Sequence, residues 1–398
     1  MAEKLLCGLL NGRRTTSKRV VKIAGLDDSL CQLPRVRLLT ETVRLRSELS
    51  LPRPERIMAL RQAADFFQNE SLGDQSPAEY VSAVSLATGL NSESVAETRD
   101  LIANSLRDMS SILDVTKPRG ASWEWTDVKH EGAMYTPAGS LLAVIAPGNG
   151  PGPHALWPQA LGLGYKVIIR PSSREPFTPS RLVQAFCAAG LEQFVSLFPC
   201  SRDIVPDLIS EADYTLMYGG DDLIGSYRHN KQVLTQGPGR TKILVGRDAD
   251  WSEAVDVVCK SVTDYKGKAC VCASAILVEG DHKGFADLLL ERFGESDAVV
   301  ETVDYASDPR VQQERPYARC VVAPFDPEKD LPQVSNSLVL TVLGGSNRLI
   351  DSLAQDGTIR NLYVGAIPTT RMNPTVPHDG YLGESLMFCR GVMIENGS

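Results

Sequence analysis

Short apolar runs alternate with segments of helical spacing from residue 141 to about residue 280, and this alternation constrains the fold more than any other feature. Leu141 to Ala146 (LLAVIA) is one run, closed by Pro147-Gly148-Asn149-Gly150, and a helical segment follows over His154 to Leu163. Val167 to Arg170 (VIIR) is the second, closed by Pro171-Ser172-Ser173, with helical spacing over Ser180 to Ala189. Phe194 to Phe198 and Asp213 to Tyr218 read as the third and fourth strands, the latter closed by Gly219-Gly220. A second such unit begins near Lys242, with a strand at Lys242 to Val245, a helix at Ser252 to Thr263 and a strand at Ser274 to Glu279. Strand–helix alternation of this kind builds a parallel sheet with helices on both faces. Ligands of such sheets bind beyond the carboxyl ends of the strands, which puts Asn149, Arg170 to Arg174 and Gly219 to Gly225 along one rim. No G-x-G-x-x-G is present, so the ordinary dinucleotide fingerprint is absent.

The flanks are less regular. The first 50 residues are basic and weakly patterned (Arg13, Arg14, Lys18, Arg19, Lys22), and read as surface strand and turn. Residues 53 to 114 read as helices: Ile57, Leu60, Ala63, Ala64 and Phe67 fall on one helical face, and Ser76-Pro77-Ala78-Glu79 has the form of a capping box. Ser122 to Tyr135 alternates as strands do. A chain of 398 residues holds two or three domains, and 43% hydrophobic with 23% charged residues predicts an ordered globular protein. A net charge of −8 weighs against non-specific binding to nucleic acid or anionic membrane, and no apolar run is long enough for a membrane span. The nine cysteines are odd in number and scattered, and the N-terminus lacks a leader pattern. A reducing, cytoplasmic compartment is therefore expected.

Among these thiols Cys270 stands out. It lies in Gly267-Lys268-Ala269-Cys270-Val271-Cys272, where a helix gives way to a strand, with Lys266 and Lys268 supplying local positive charge of the kind a reactive thiolate needs. A buried, unreactive thiol is the alternative reading. Zinc is not expected: there is no C-x-x-C pair, and none of the five histidines has ligand spacing.

IAPGNGPGPHALWPQALGLGYKVIIRPSSREPFTP (145–179), YGGDDLIG, QGPGRTKILVGRDAD and GKACVCASAILV (267–278) resemble, in order and spacing, successive blocks of the aldehyde dehydrogenase superfamily. The departures from those blocks resemble its acyl-thioester reductase branch, such as the fatty acyl-CoA reductases of bacterial luminescence. The resemblance implies an α/β fold with two Rossmann-like parallel-sheet domains and a small β oligomerisation arm. The expected boundaries are 1–237 for the cofactor domain, interrupted by the arm at 122–137, then 238–384 for the cysteine domain and 385–398 for the return to the arm. Cys270 then becomes the nucleophile, and Asn149 the amide that helps hold the oxyanion. Arg170, Ser172, Ser173, Arg174, Gly220 and Gly225 fall on the cofactor-binding blocks. Ser173 stands where NAD-preferring members carry an acid, and with Arg174 beside it the expectation is NADPH, with NADH possible. Glu314, eleven residues before Phe325, matches the glutamate that holds the nicotinamide ribose.

Gln236 occupies the position of the family's glutamate that activates water against the acyl-enzyme, and a glutamine amide cannot take that proton. The expected function is accordingly NAD(P)H-dependent reduction of an acyl thioester, from acyl-CoA or an acyl-carrier protein, to an aldehyde through acyl-Cys270. The alternatives are an aldehyde dehydrogenase in which another group serves as base, and a non-catalytic scaffold on the same fold. Homodimerisation through the arm is expected by analogy.

Overall fold

The computed structural model describes residues 4–395. The chain forms two compact units, one running to Gln236 and resuming at Tyr381, the other Gly237–Gly380.

The first unit is built on a seven-stranded sheet. Its five parallel strands are Leu141–Ile145, Lys166–Arg170, Val195–Leu197, Tyr214–Tyr218 and Val233–Gln236. Gly8–Leu10 and Arg13–Thr15 extend the edge antiparallel beyond Val195–Leu197. Leu141, Leu142, Ala143, Val144 and Ile145 are all buried, because helices cover both faces of the sheet; hence the continuous apolar run rather than an alternating one. The helix Arg53–Asn69 packs against Ser92–Arg107 and Phe177–Ala188 through the predicted stripe of Ile57, Leu60, Ala63, Ala64 and Phe67.

The capping box forms: Ser76 Oγ accepts from the Glu79 N–H at 3.2 Å, and the Ser76 N–H donates to Glu79 Oε2 at 2.8 Å, starting the helix Pro77–Thr88. Replacing Ser76 by alanine orphans one helix N–H and is expected to cost about 1 kcal/mol, measured as a shift in the urea midpoint at unchanged slope.

The N-terminal reading needs correction. Short strands are present, but Arg35–Ser47 is a helix, burying Leu38, Glu41, Thr42 and Leu45. Its apolar stripe is narrow and flanked by arginines, so the pattern is masked by surface charge. Glu41 is buried because Arg44 Nη2 reaches its carboxylate at 2.6 Å. The 122–135 segment also differs: Trp125–Asp127 is a 3-10 turn, and only Glu131–Pro137 is an extended strand. That strand pairs antiparallel with Met387–Met393 over seven residues and parallel with Ala121–Ser122, making a three-stranded arm. The Tyr165 hydroxyl donates to the Leu386 carbonyl at 2.6 Å, tying the C-terminal segment to the first unit.

The second unit is a six-stranded, all-parallel sheet in the order Val299–Thr302, Arg319–Pro324, Ala275–Val278, Lys242–Val245, Val339–Leu343, Asn361–Val364. Among the described residues no helix is long and apolar enough to cross a membrane, no cluster of side chains is arranged to hold a metal, and all nine cysteines are free.

Candidate active site

In the first unit the parallel strands, numbered by sequence, lie in the order 5-4-1-2-3. Connections therefore diverge between Leu141–Ile145 and Tyr214–Tyr218, and a crevice opens beyond their carboxyl ends. Asn149 is exposed in the loop beyond the first of these strands. Gly148 lets this loop lie directly on the next one: a Cβ there would collide with Ser172 Oγ and Arg174 Cβ. Ser172 Oγ accepts from the Arg174 N–H at 3.2 Å and fixes that turn. Ser173 is partly exposed and Arg174 exposed.

Arg170 ends the strand Lys166–Arg170 half-buried, its Nε buried without a hydrogen-bond partner. Burial and the nearby Arg202 both lower its pKa, while the Cys200 thiol, to which it donates, opposes them. The Arg170 and Arg202 guanidinium groups thus lie near each other at the ends of adjacent strands, and Arg174 follows in an exposed turn, with no carboxylate between 170 and 174. An orphaned donor among cations, at the carboxyl ends of strands on one side of the reversal, suits the anionic portion of a dinucleotide. Gly220 precedes the short helix Asp221–Tyr227, and Gly225 sits exposed within it. Asp221 and Asp222 fill that helix's first turn, so it offers no favourable field to a phosphate.

Beneath these loops lies a pair that sequence reasoning did not identify. His154 and Glu175 are both completely buried, with His154 Nε2 3.8 Å from Glu175 Oε2. His154 Nδ1 accepts from the Trp157 indole N–H at 3.0 Å, which places the imidazole proton on Nε2. Glu175 Oε1 accepts from the Thr178 N–H at 2.8 Å. Burial drives both groups toward neutrality: His154 falls to about 3, and Glu175 rises to about 7.

Cys270 belongs to the second unit, in the loop that leads into Ala275–Val278. Tyr265, Lys266 and Gly267 all take positive φ just before it. Successive left-handed residues are strained and persist only where the surroundings impose them. Here a second loop does so. The segment Glu314–Ala318 leads into Arg319–Pro324, the parallel neighbour of Ala275–Val278. Tyr317 N–H donates to the Gly267 carbonyl at 3.0 Å, and Arg315 N–H to Ser274 Oγ at 2.9 Å. Any Cβ on Gly267 would run into the Ala318 backbone. Lys268 Nζ lies 5.4 Å from the Tyr317 ring centroid. A third segment completes the cluster: Thr241 Oγ1 donates to the Cys270 carbonyl at 2.8 Å, and Gly239 packs so tightly on that carbonyl that a Cβ would collide with it. The Gly239 N–H donates to Glu314 Oε1 at 3.3 Å.

The electrostatics differ from the expectation of a lysine-rich, thiolate-favouring loop. Burial first, then the charge of Glu314, push the Cys270 thiol up to about 12, with a smaller push from Asp379; the backbone N–H groups of Cys270 and Val271 pull the other way. Lys268 stacks on Tyr317 instead of facing the sulfur. In the unliganded chain Cys270 is therefore a protonated thiol. Gln236 ends the last strand of the first unit, its carbonyl accepting from the Gly219 N–H at 3.2 Å.

The structure thus brings Cys270 and Glu314 together in one unit, and the Asn149, Ser172 and Arg174 loops together in the other. Arg202, Gly239, Thr241, His154 and Glu175 were missed. Arg202 had a signal, following the third strand's closing Pro199-Cys200-Ser201; the others required the tertiary fold.

The cysteine loop thus lies in one parallel-sheet unit and the cationic strand ends in the other. The sequence pattern of the Aldehyde dehydrogenase family matches residues 49–312, and the chain belongs to that family. It is 28% identical over 172 residues to malonate-semialdehyde dehydrogenase 1 of Geobacillus thermodenitrificans, covering 41% of this chain and 35% of the relative. It is 25% identical over 276 residues to the malonate-semialdehyde dehydrogenase of Listeria monocytogenes, covering 66% and 55%. The chain thus matches only about a third to a half of the length of these curated relatives. Among solved structures, an NAD-dependent aldehyde dehydrogenase from Sinorhizobium meliloti superposes with a TM-score of 0.82 at 13% identity, covering 100% of this chain and 96% of that one. A glyceraldehyde-3-phosphate dehydrogenase from Methanocaldococcus jannaschii complexed with NADP superposes at 0.78 and 12%, covering 95% and 100%.

The fold expected from the resemblance is present. The acyl-thioester reductase branch is not supported, and reduction of a thioester as the chain's function is overturned, because the relatives are named as semialdehyde dehydrogenases. The expectation rested on the step from Gln236, and an amide in place of one carboxylate does not exclude another group as base.

Proposed function

We propose that this chain is an NAD(P)-dependent aldehyde dehydrogenase that oxidises an aldehyde to an acid through a covalent intermediate on Cys270. The observation that carries the reading is the Cys270 loop itself, held by strained turns and three neighbouring segments in a chain of this family. Such a loop presents a nucleophile in one fixed geometry. Cys270 Sγ adds to the aldehyde carbon, its proton leaves, and the carbonyl oxygen becomes an oxyanion. The Cys270 backbone N–H is the donor that this reading assigns to that oxyanion. The dinucleotide, when bound, supplies the hydride acceptor. Water then cleaves the thioester and frees Cys270.

Arg170, Arg174 and Arg202 support NADP as the preferred cofactor, because Ser173 offers no carboxylate and Glu175 is turned into the core. Arg170→Gln is expected to raise KM for NADP about tenfold with a smaller change in kcat, measured by steady-state kinetics. The named substrates of the relatives make malonate semialdehyde and other short aldehydes the first panel to test. With these and NADP⁺ or NAD⁺, reduced cofactor and free acid should form in equal amounts. No acid from any aldehyde would refute the reading.

The arm strand Met387–Met393 presents one unpaired edge with Phe388 and Met393 exposed, which supports pairing with a second copy as a homodimer.

A further inference from the structure

We propose that Cys7 and Cys31 are a redox pair, closed by a disulfide oxidant into a bond that braces the N-terminal sheet of the first unit against that unit's strand-end rim. The inference stands apart from Cys270 and from the dehydrogenase reading.

The two sulfurs are already in contact, with Cys7 Sγ 3.5 Å from Cys31 Sγ. Backbone register puts them there. Leu5–Leu6 runs parallel to Ser29–Cys31 with Leu6 opposite Leu30, so Cys7 and Cys31 take the next facing position. Facing residues of neighbouring strands lie about 4.8 Å apart, inside the roughly 4.4–6.8 Å that a disulfide spans between Cα atoms. The sulfurs then need to approach by about 1.5 Å, a shift that side-chain rotation supplies.

A second observation separates a reactive pair from two thiols packed as small hydrophobes. Arg13–Thr15 pairs antiparallel with Gly8–Leu10, which carries Arg14 back to the start of the chain. There Arg14 Nη2 donates to the Leu5 carbonyl at 2.8 Å. The same guanidinium bonds the Cys7 thiol and feels the charge of both sulfurs, which holds its pKa above the ordinary value. A cation gains little from two neutral thiols and a great deal from a thiolate. Cys31 is completely buried, and burial raises its pKa against the pull of the Ser17 N–H and of Arg14. Cys7 is 6% exposed. Cys7 is thus the sulfur that an oxidant reaches, and Cys31 the one that resolves the adduct.

The pair sits where a bond has leverage. Leu5–Leu6, Ser29–Cys31 and Val20–Lys22 form one small sheet. This sheet region leans on the rim: the Ala24 N–H donates to the Ser173 carbonyl at 3.4 Å, and the Leu33 N–H to the Pro199 carbonyl at 2.7 Å. Leu5–Leu6 pairs over two residues, so its own ladder resists local opening weakly. A bond from Cys7 to Cys31 ties that strand to the segment that meets the rim and shrinks the set of opened states.

With oxidised glutathione as the oxidant, Cys7 gives up its proton and attacks one glutathione sulfur. The glutathione S–S bond breaks, and the first glutathione leaves with the electron pair and takes up a proton. Cys31 then gives up its proton, attacks the Cys7 sulfur of the mixed disulfide and expels the second glutathione in the same way. Two protein thiols are oxidised, one glutathione disulfide is reduced to two thiols, and both protons end on glutathione.

The test uses the full chain, reduced and then incubated with oxidised glutathione. One portion is quenched in acid, unfolded with N-ethylmaleimide, digested with trypsin and mapped by mass spectrometry; a second is digested briefly while folded. Arg13 and Lys22 lie between the two cysteines, so complete digestion separates their peptides unless a disulfide joins them. The expected result is Cys7 and Cys31 peptides joined within one chain. Cleavage of the folded chain after Arg13, Arg14, Lys18 and Arg19 should slow by about tenfold and recover on reduction. Cys7→Ser and Cys31→Ser should each lose the joined peptides and the protection. Separate peptides carrying maleimide or glutathione would overturn the proposal, as would either cysteine joined to a different one. Joined peptides without slower cleavage would overturn the bracing role, and protection that survives in Cys7→Ser would do the same. Should the serine variants not fold, wild type before oxidation, after it and after re-reduction decides the matter by the same two readouts.

Discussion

Replacing Cys270 by serine is expected to lower aldehyde oxidation by about 10³-fold or more, with little change in the urea midpoint. The substitution is close to isosteric, so packing changes little. Chemistry changes greatly, since a hydroxyl is a far weaker nucleophile and a worse leaving group than a thiol. The wild-type thiol is itself held protonated by burial and by Glu314, with a pKa pushed up to about 12. Alkylation of Cys270 by iodoacetamide in the free chain should therefore be slow at pH 7 and accelerate as pH rises toward that value. Fast alkylation at pH 7 would contradict the electrostatic account, and an active serine variant would contradict the assignment of the nucleophile.

The second large effect concerns Glu175. Glu175→Gln is expected to stabilise the chain relative to wild type at pH 8 by about 3 kcal/mol more than at pH 4. The ordinary carboxyl value of 4.5 rises to about 7 in the folded chain. Between those values the folded state binds more protons than the unfolded one, so the contribution of Glu175 to stability falls as pH rises, and the penalty is complete above about pH 7. His154 acts in the opposite sense: its pKa drops from 6.5 to about 3, so the unfolded state binds more protons and stability falls as pH is lowered through that range. The two slopes oppose each other between about pH 4.5 and 6.5. Urea unfolding of wild type and variant from pH 4 to pH 8 isolates the Glu175 term, because His154 contributes to both proteins. A difference independent of pH would show that Glu175 titrates normally. The pair lies under the loops that carry Asn149 and Arg174, so its protonation bears on the first unit's rim as well as on its stability.

The sheets were legible because their central strands are buried on both faces and therefore unbroken in hydrophobicity, as in LLAVIA, and are closed by turn residues. The same logic placed Asn149 and Arg170 at strand ends. The helix Arg35–Ser47 was not legible, since a narrow apolar stripe among arginines resembles surface. Glu314 could be matched to a family position, but its neighbours in the fold could not be read from sequence. What gives it meaning is that Arg319–Pro324 lies beside Ala275–Val278, and sequence order does not dictate which parallel strands are neighbours. The setting of Cys270 was misread for a related reason. Lysines near in sequence suggested a positive loop, whereas the fold turns Lys268 onto Tyr317 and brings a carboxylate from a distant segment instead.

The covalent intermediate is the centre of this account, and quench mass spectrometry of the full chain tests it most directly. After mixing with a short aldehyde and NADP⁺, the Cys270 peptide should gain the mass of one acyl group in step with the first equivalent of reduced cofactor. Reduced cofactor accumulating with Cys270 unmodified throughout, or an acyl group on another residue, would contradict it.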